Sequence, residues 1–142
     1  MKTLPILLAL SLSLSPALFA DDQKPAAAAP VAAAATAAKN VTPDEAEKLL
    51  KDKKDVVVLD VRTPEEYSAG HIGGAKNINF MASDFEKQVA QLDPSKSYLV
   101  HCAAGGRSSK AVKIMAQHNF DSVYHMNDGF KAWVEAGKPV EK

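Results

Sequence analysis

Only one cysteine, Cys102, stands in the 142 residues of this chain. No disulfide can close within the chain, and no cysteine-rich metal cluster can form. The histidines, His71, His101, His118 and His125, are scattered and share no ligand spacing with Cys102, so neither a metal nor any other cofactor is expected. No cysteine follows the apolar N-terminal stretch, where a lipid anchor would be attached. Charge of one sign is also lacking: 17 basic against 17 acidic residues leave a formal net charge of zero. That balance offers neither a basic face for nucleic acid nor a polybasic patch for a membrane surface. Internal repeats are absent too.

What the chain does have begins at its N-terminus. Met1-Lys2-Thr3 leads into an apolar stretch over residues 4–14, followed by Ser15-Pro16-Ala17-Leu18-Phe19-Ala20. These are the three regions of a secretory signal peptide, predicted over residues 1–20 with cleavage after Ala20, although Leu18 is bulky for its place before the cut. The apolar stretch is short of the roughly 20 residues that span a bilayer, so no stable membrane insertion is expected after cleavage. A periplasmic or secreted protein is the expectation. Residues 21–40 are rich in Ala and Pro, poor in large apolar side chains, and predicted to form a flexible linker. One folded domain is then expected over residues 41–142. An exported lone thiol sits in an oxidising compartment without a partner in its own chain, which makes it either paired between molecules or reactive.

Within the domain, apolar runs and helix-start signals alternate. Thr42-Pro43-Asp44-Glu45 reads as a capped helix start, with Ala46, Leu49 and Leu50 on the inward face. Strands are predicted over residues 56–61, 75–80, 98–101 and 122–126. Helices are predicted after Thr63-Pro64, over 83–92, over 108–118 and over 129–135, with Trp133 packed on the sheet. Such alternation argues for βαβ units and a parallel sheet covered on both faces, whose ligands bind at the carboxyl ends of strands.

Two chemically rich segments lie at such ends, Asp60-Val61-Arg62 and the stretch from Cys102 to Ser108. Cys102 follows the apolar run Tyr98-Leu99-Val100-His101 and precedes Ala103-Ala104-Gly105-Gly106-Arg107-Ser108. A strand that ends in a thiol, turns through glycines and enters a helix surrounds the sulfur with backbone N–H donors, which hold anions. Helix dipole and arginine charge would favour the thiolate. The absence of bulky neighbours after Cys102 predicts an exposed, nucleophilic or sulfur-carrying cysteine rather than a packed one.

Four segments together resemble a single rhodanese domain: Leu59-Asp60-Val61-Arg62-Thr63-Pro64-Glu65-Glu66-Tyr67; Gly70-His71-Ile72-Gly73-Gly74-Ala75 with Asn77-Ile78; Cys102-Ala103-Ala104-Gly105-Gly106-Arg107-Ser108; and Gly129-Phe130-Lys131-Ala132-Trp133 with Gly137-Lys138-Pro139-Val140. They occur in family order. The resemblance implies an α/β, three-layer fold with a central, mostly parallel five-stranded sheet and helices on both faces. It implies that Cys102 accepts a sulfane sulfur as a persulfide from a small-molecule donor such as thiosulfate. The sulfur then passes to a thiophilic acceptor: cyanide, a thiol or a protein thiol. Ala103, Ala104, Gly105, Gly106, Arg107 and Ser108 would form the cradle, with Arg107 supporting the bound anion. Asp60, Arg62 and Glu66 would be supporting residues, Arg62 paired with Glu66 and Asp60 tying the loop in place. His71 would be a packing residue.

Two rivals stand beside this reading. His101-Cys102 and Arg107-Ser108 also resemble the ends of the cysteine-phosphatase signature, but that loop is one residue longer, which gives room for a tetrahedral phosphate. A non-turnover sulfur carrier or interaction module is the other. Ala103, Ala104 and Gly106 are small and neutral, so recruitment of thiosulfate by loop cations would be weak, and a persulfide or a partner protein becomes the better donor.

Overall fold

A computed structural model describes residues 37–142. The predicted signal peptide, and the predicted linker up to residue 36, lie outside the described residues.

Five strands, β1 (Lys39–Asn40), β2 (Val57–Asp60), β3 (Lys76–Asn77), β4 (Ser97–His101) and β5 (Ser122–His125), alternate with five helices. The helices are α1 (Pro43–Asp52), α2 (Pro64–Ala69), α3 (Phe85–Ala90), α4 (Gly106–Gln117) and α5 (Gly129–Glu135). The sheet runs β1-β5-β4-β2-β3, and every pairing in it is parallel. The α/β fold implied by the sequence is thus present, with a sheet that is wholly rather than mostly parallel.

Alternation along each strand divides the core in two. Leu59, Tyr98, Val100, Cys102 and Val123 join Ala111 and Met115 of α4 and Phe85 and Val89 of α3 on one face. Val58, Leu99 and Met126 join Ala46 of α1 and Trp133 of α5 on the other. None of the described helices is long and apolar enough to cross a membrane.

Helices α1 and α2 begin alike because their sequences do. Thr42 Oγ1 accepts from Glu45 N–H at 3.3 Å while Glu45 Oε2 accepts from Thr42 N–H at 2.8 Å. The same reciprocal cap joins Thr63 and Glu66, at 3.3 and 3.1 Å. Proline at the first helical position completes both starts, since its missing N–H is one the helix could not have bonded.

Several boundaries differ from expectation. Lys39 and Asn40, assigned by composition to the linker, form the edge strand β1 beside Tyr124 and His125. Two exposed polar residues carry no alternation to read. Strand β3 and helix α3 are shorter than predicted because hydrogen-bonded turns, such as Ala82 N–H to Asn79 O at 3.1 Å, take up their ends. Helix α4 starts at Gly106, two residues early, so Arg107 lies in its first turn rather than before it.

Candidate active site

The site forms where β4 ends and α4 begins. Cys102 lies in phase with Tyr98 and Val100, so its side chain points to the face that α4 covers. His101 has the opposite phase, stacking on Phe130 of α5 with ring centroids 6.0 Å apart. The histidine next to the thiol in sequence is therefore on the other side of the sheet.

After Cys102 the backbone bends back over the sulfur. The first amides of α5 hold the loop's carbonyls: Phe130 N–H donates to Cys102 O at 2.7 Å, and Lys131 N–H to Ala103 O at 3.0 Å. With those carbonyls turned outward, Gly105 N–H donates to Cys102 Sγ at 3.1 Å. The Ser108 hydroxyl lies 3.4 Å from the same sulfur. Sγ thus faces the N-terminus of the 12-residue helix α4, where unbonded N–H groups and the helix dipole favour negative charge.

Burial acts against that charge, and Cys102 is only 1% exposed. This corrects the expected exposure. The sequence shows small residues after the thiol but not that they fold over it. Burial alone pushes the thiol up, yet hydrogen bonds from the Ser108 hydroxyl and from the N–H groups of Ser108, Ala104 and Arg107 outweigh it. The net effect holds Cys102 below its ordinary value. The sulfur is enclosed by donors rather than sealed in hydrocarbon.

Gly105 caps α4 at φ +92°, and a Cβ there would collide with the Asn127 carbonyl oxygen. Gly129 is equally constrained. Its φ is +74°, and a Cβ would come within 2.6 Å of Ala103 C and 2.7 Å of Ala104 N. Gly106 meets nothing within 4 Å. Gly129→Ala is therefore expected to lower stability by about 2–3 kcal/mol, from backbone strain plus overpacking, and to displace Ala103 and Ala104. Gly106→Ala should change stability by less than about 1 kcal/mol. Urea unfolding of both variants checks the contrast.

The supporting residues pair differently from the sequence expectation. Arg62 does not bridge to Glu66. It grips Asp60 instead, Nη2 to Oδ2 at 2.6 Å and Nε to both carboxylate oxygens at 3.0 Å, and donates from Nη2 to Gly70 O at 2.7 Å. Asp60 is consumed by Arg62, whose backbone N–H it also accepts at 3.0 Å, and its bonds do not reach the cysteine loop. The reason is proximity: two residues apart at a strand end, the two side chains meet before Arg62 can follow the turn to α2.

Glu66 takes Arg107. Nη1 and Nη2 donate to its two oxygens at 2.7 and 2.9 Å, and the same carboxylate caps α2. Arg107 beside it holds the Glu66 carboxyl down at about 2 despite partial burial. The pairing fixes the arginine at the rim of the loop. His71 stacks on Tyr67 at 3.9 Å and bonds Tyr67 O through Nδ1 at 3.0 Å, the packing role expected of it.

Sequence reasoning passed over one neighbour. His125 ends β5 as Cys102 follows β4, on the same face as Val123, and its Nε2 lies 2.8 Å from Ser108 Oγ. The shared parity of two adjacent strand ends was the available signal.

A parallel α/β sheet that presents one cysteine to N–H donors at a helix N-terminus can hold negative charge on that sulfur. The sequence pattern of the rhodanese-like domain family matches residues 42–136, and the chain belongs to that family. It is 35% identical over 104 residues to the thiosulfate sulfurtransferase GlpE of Pseudomonas putida, covering 72% of this chain and 90% of that protein. To Protein HIGH ARSENIC CONTENT 1, mitochondrial, of Arabidopsis thaliana it is 39% identical over 94 residues, covering 59% of this chain. That match spans little more than half of the Arabidopsis protein, 56%. Among solved structures, a rhodanese-related protein from Thermoplasma volcanium superposes with a TM-score of 0.64 at 31% identity, over 72% of this chain and 97% of that one. A rhodanese-like domain protein from Staphylococcus aureus gives 0.62 at 31% identity, over 73% and 99%.

Proposed function

We propose that this chain is an exported sulfurtransferase in which Cys102 is the nucleophile. The observation that carries the reading is the donor ring around Sγ, led by Gly105 N–H at 3.1 Å. Cys102 thiolate attacks the outer sulfur of thiosulfate or of a persulfide. The donor's S–S bond breaks, and sulfite or a thiolate leaves with the electron pair. The new Cys102 persulfide is an anion held by the amides from Ala103 to Ser108, preorganised so that nothing must reorient as charge arrives. A cyanide ion, a thiol or a protein thiol then attacks the terminal sulfur, and Cys102 departs as thiolate. The residues supply the whole cycle without a cofactor. Relatives named as thiosulfate sulfurtransferases support the donor class, and the leader-like residues 1–20 support export.

Thiocyanate formation from thiosulfate and cyanide, run beside hydrolysis of p-nitrophenyl phosphate, tests the assignment. Thiocyanate without phosphate release is expected, and the reverse would replace the reading with a phosphatase. Arg107→Ala should lower turnover roughly tenfold by removing a cation at the loop. Its stability should fall by no more than about 1 kcal/mol, because the Glu66 pair is partly exposed. A stability loss matching the loss of turnover would make Arg107 a scaffold residue.

A second reading, transfer to one protein partner with slow small-molecule turnover, is favoured by the near-complete burial of Cys102 and by the neutral residues Ala103, Ala104 and Gly106. It predicts faster discharge of the persulfide to a protein thiol than to cyanide.

A further inference from the structure

A buried thiol needs a route for its proton. Cys102 is 1% exposed, and the group that touches it, Ser108, is fully buried. Ser108 Oγ lies 3.4 Å from Cys102 Sγ, 2.8 Å from His125 Nε2 and 3.1 Å from Gly105 O, yet a hydroxyl carries one proton. Gly105 O already accepts from Ser109 N–H at 2.9 Å and from the Ser109 hydroxyl at 2.7 Å, so it does not need Ser108. On the far side of the imidazole, Asn40 Oδ1 faces Nδ1 at 3.2 Å. An amide oxygen can only accept, which places the ring proton on Nδ1 and leaves Nε2 as an acceptor for the Ser108 hydroxyl.

The geometry points to His125 as a positioning residue that, acting through Ser108, takes the proton of Cys102 when the thiolate forms. This deepens the sulfurtransferase reading and rests on Cys102 being its nucleophile. The transfer balances without another reactant. Sγ–H gives its proton to Ser108 Oγ as the Ser108 proton moves to Nε2, leaving a thiolate, an intact hydroxyl and an imidazolium. The hydroxyl, now turned toward sulfur, becomes a donor to the thiolate it helped to create.

The surroundings suit a base that is neutral at rest. Burial alone holds the His125 ring below its ordinary value, so at pH 7 it is free to accept. Facing it are Ser108 from α4, at hydrogen-bond distance, and Asn40 from β1, Ser109 and Lys113 from α4 and Asn127 from the following loop; all but Ser108 border, with the ring, a cavity of about 380 Å³. Lys113 is the only charged side chain among the described residues lining that cavity, so no carboxylate there competes with the Cys102 thiolate as the partner of the imidazolium. His125 is 5% exposed and lines this cavity, so its proton can pass on to solvent once the sulfur has reacted. The edge strand β1 thereby gains a purpose, since the register that sets Asn40 beside His125 fixes the ring's tautomer.

Alkylation of Cys102 by iodoacetamide, followed across pH 5–9 in the full chain without any sulfur donor, tests the relay. The midpoint of the wild-type profile should lie below that of His125→Gln and Ser108→Ala by about one pH unit or more, an effect in the range that a neighbouring histidine exerts on a thiol. Coincident midpoints in folded variants overturn the proposal. A second readout spares the histidine. The His125 ring titration, followed by NMR, should move when Cys102 is replaced by Ser, because coupling between two titrating groups is reciprocal. An unmoved ring also overturns it. Neither readout involves sulfur transfer, so a wild-type protein that takes up no sulfur defeats the proposed function separately.

Discussion

Cys102→Ser is expected to abolish transfer of sulfur to cyanide or to a thiol, by on the order of a thousandfold or more. The substitution keeps the size and hydrogen-bonding sense of the side chain, so Gly105 N–H and the Ser108 hydroxyl retain an acceptor at nearly the same place. What is lost is chemical. A serine hydroxyl is not appreciably ionised near neutral pH and cannot form a persulfide. Circular dichroism and thermal unfolding should therefore report a fold close to wild type while turnover vanishes. Transfer surviving in the variant would mean that the sulfur is carried elsewhere.

Arg62→Met is expected to destabilise the domain by about 3–5 kcal/mol while leaving sulfur transfer per folded molecule near the wild-type level. The Asp60 and Arg62 side chains are 0% and 5% exposed, with Nη2 of Arg62 2.6 Å from Oδ2 of Asp60. The guanidinium also lies over the Phe130 ring at 4.0 Å. Removing it strands a buried carboxylate. His101 offers little relief. Its Nε2 is 3.8 Å from Asp60 Oδ2 and has no hydrogen-bond partner, and burial lowers its tendency to become charged. The double variant Asp60→Asn, Arg62→Met should recover part of the loss, because a neutral amide is cheaper to bury than an unpaired anion. Chemical denaturation of the two variants beside the wild type measures the effect. A stable Arg62→Met protein that no longer transfers sulfur would move Arg62 from scaffold to chemistry.

Both expectations depend on features unequally legible in the sequence. The alternation of apolar runs and Thr-Pro starts displays the parallel sheet and its helices, because those signals are local. Cys102 and its amide loop are legible for the same reason: strand, turn and helix start are consecutive. The edge strand β1 is not, since two exposed residues become a strand only through pairing with Tyr124 and His125, more than 80 residues later. Ion-pair choice is likewise a matter of tertiary reach. Arg62, Glu66 and Arg107 are compatible on paper in more than one combination, and only the approach of α2 to the start of α4 joins Glu66 to Arg107. The burial of Cys102 and the line from Cys102 through Ser108 to His125 arise in the same way, from segments that meet only when the sheet is assembled.

Intact mass spectrometry of the wild-type chain after exposure to thiosulfate, then to cyanide, addresses the central claim most directly. The account predicts a gain of one sulfur atom located on Cys102 and its loss on adding cyanide. An unchanged mass with thiosulfate and with an organic persulfide alike, or a sulfur gain that persists in Cys102→Ser, would contradict it.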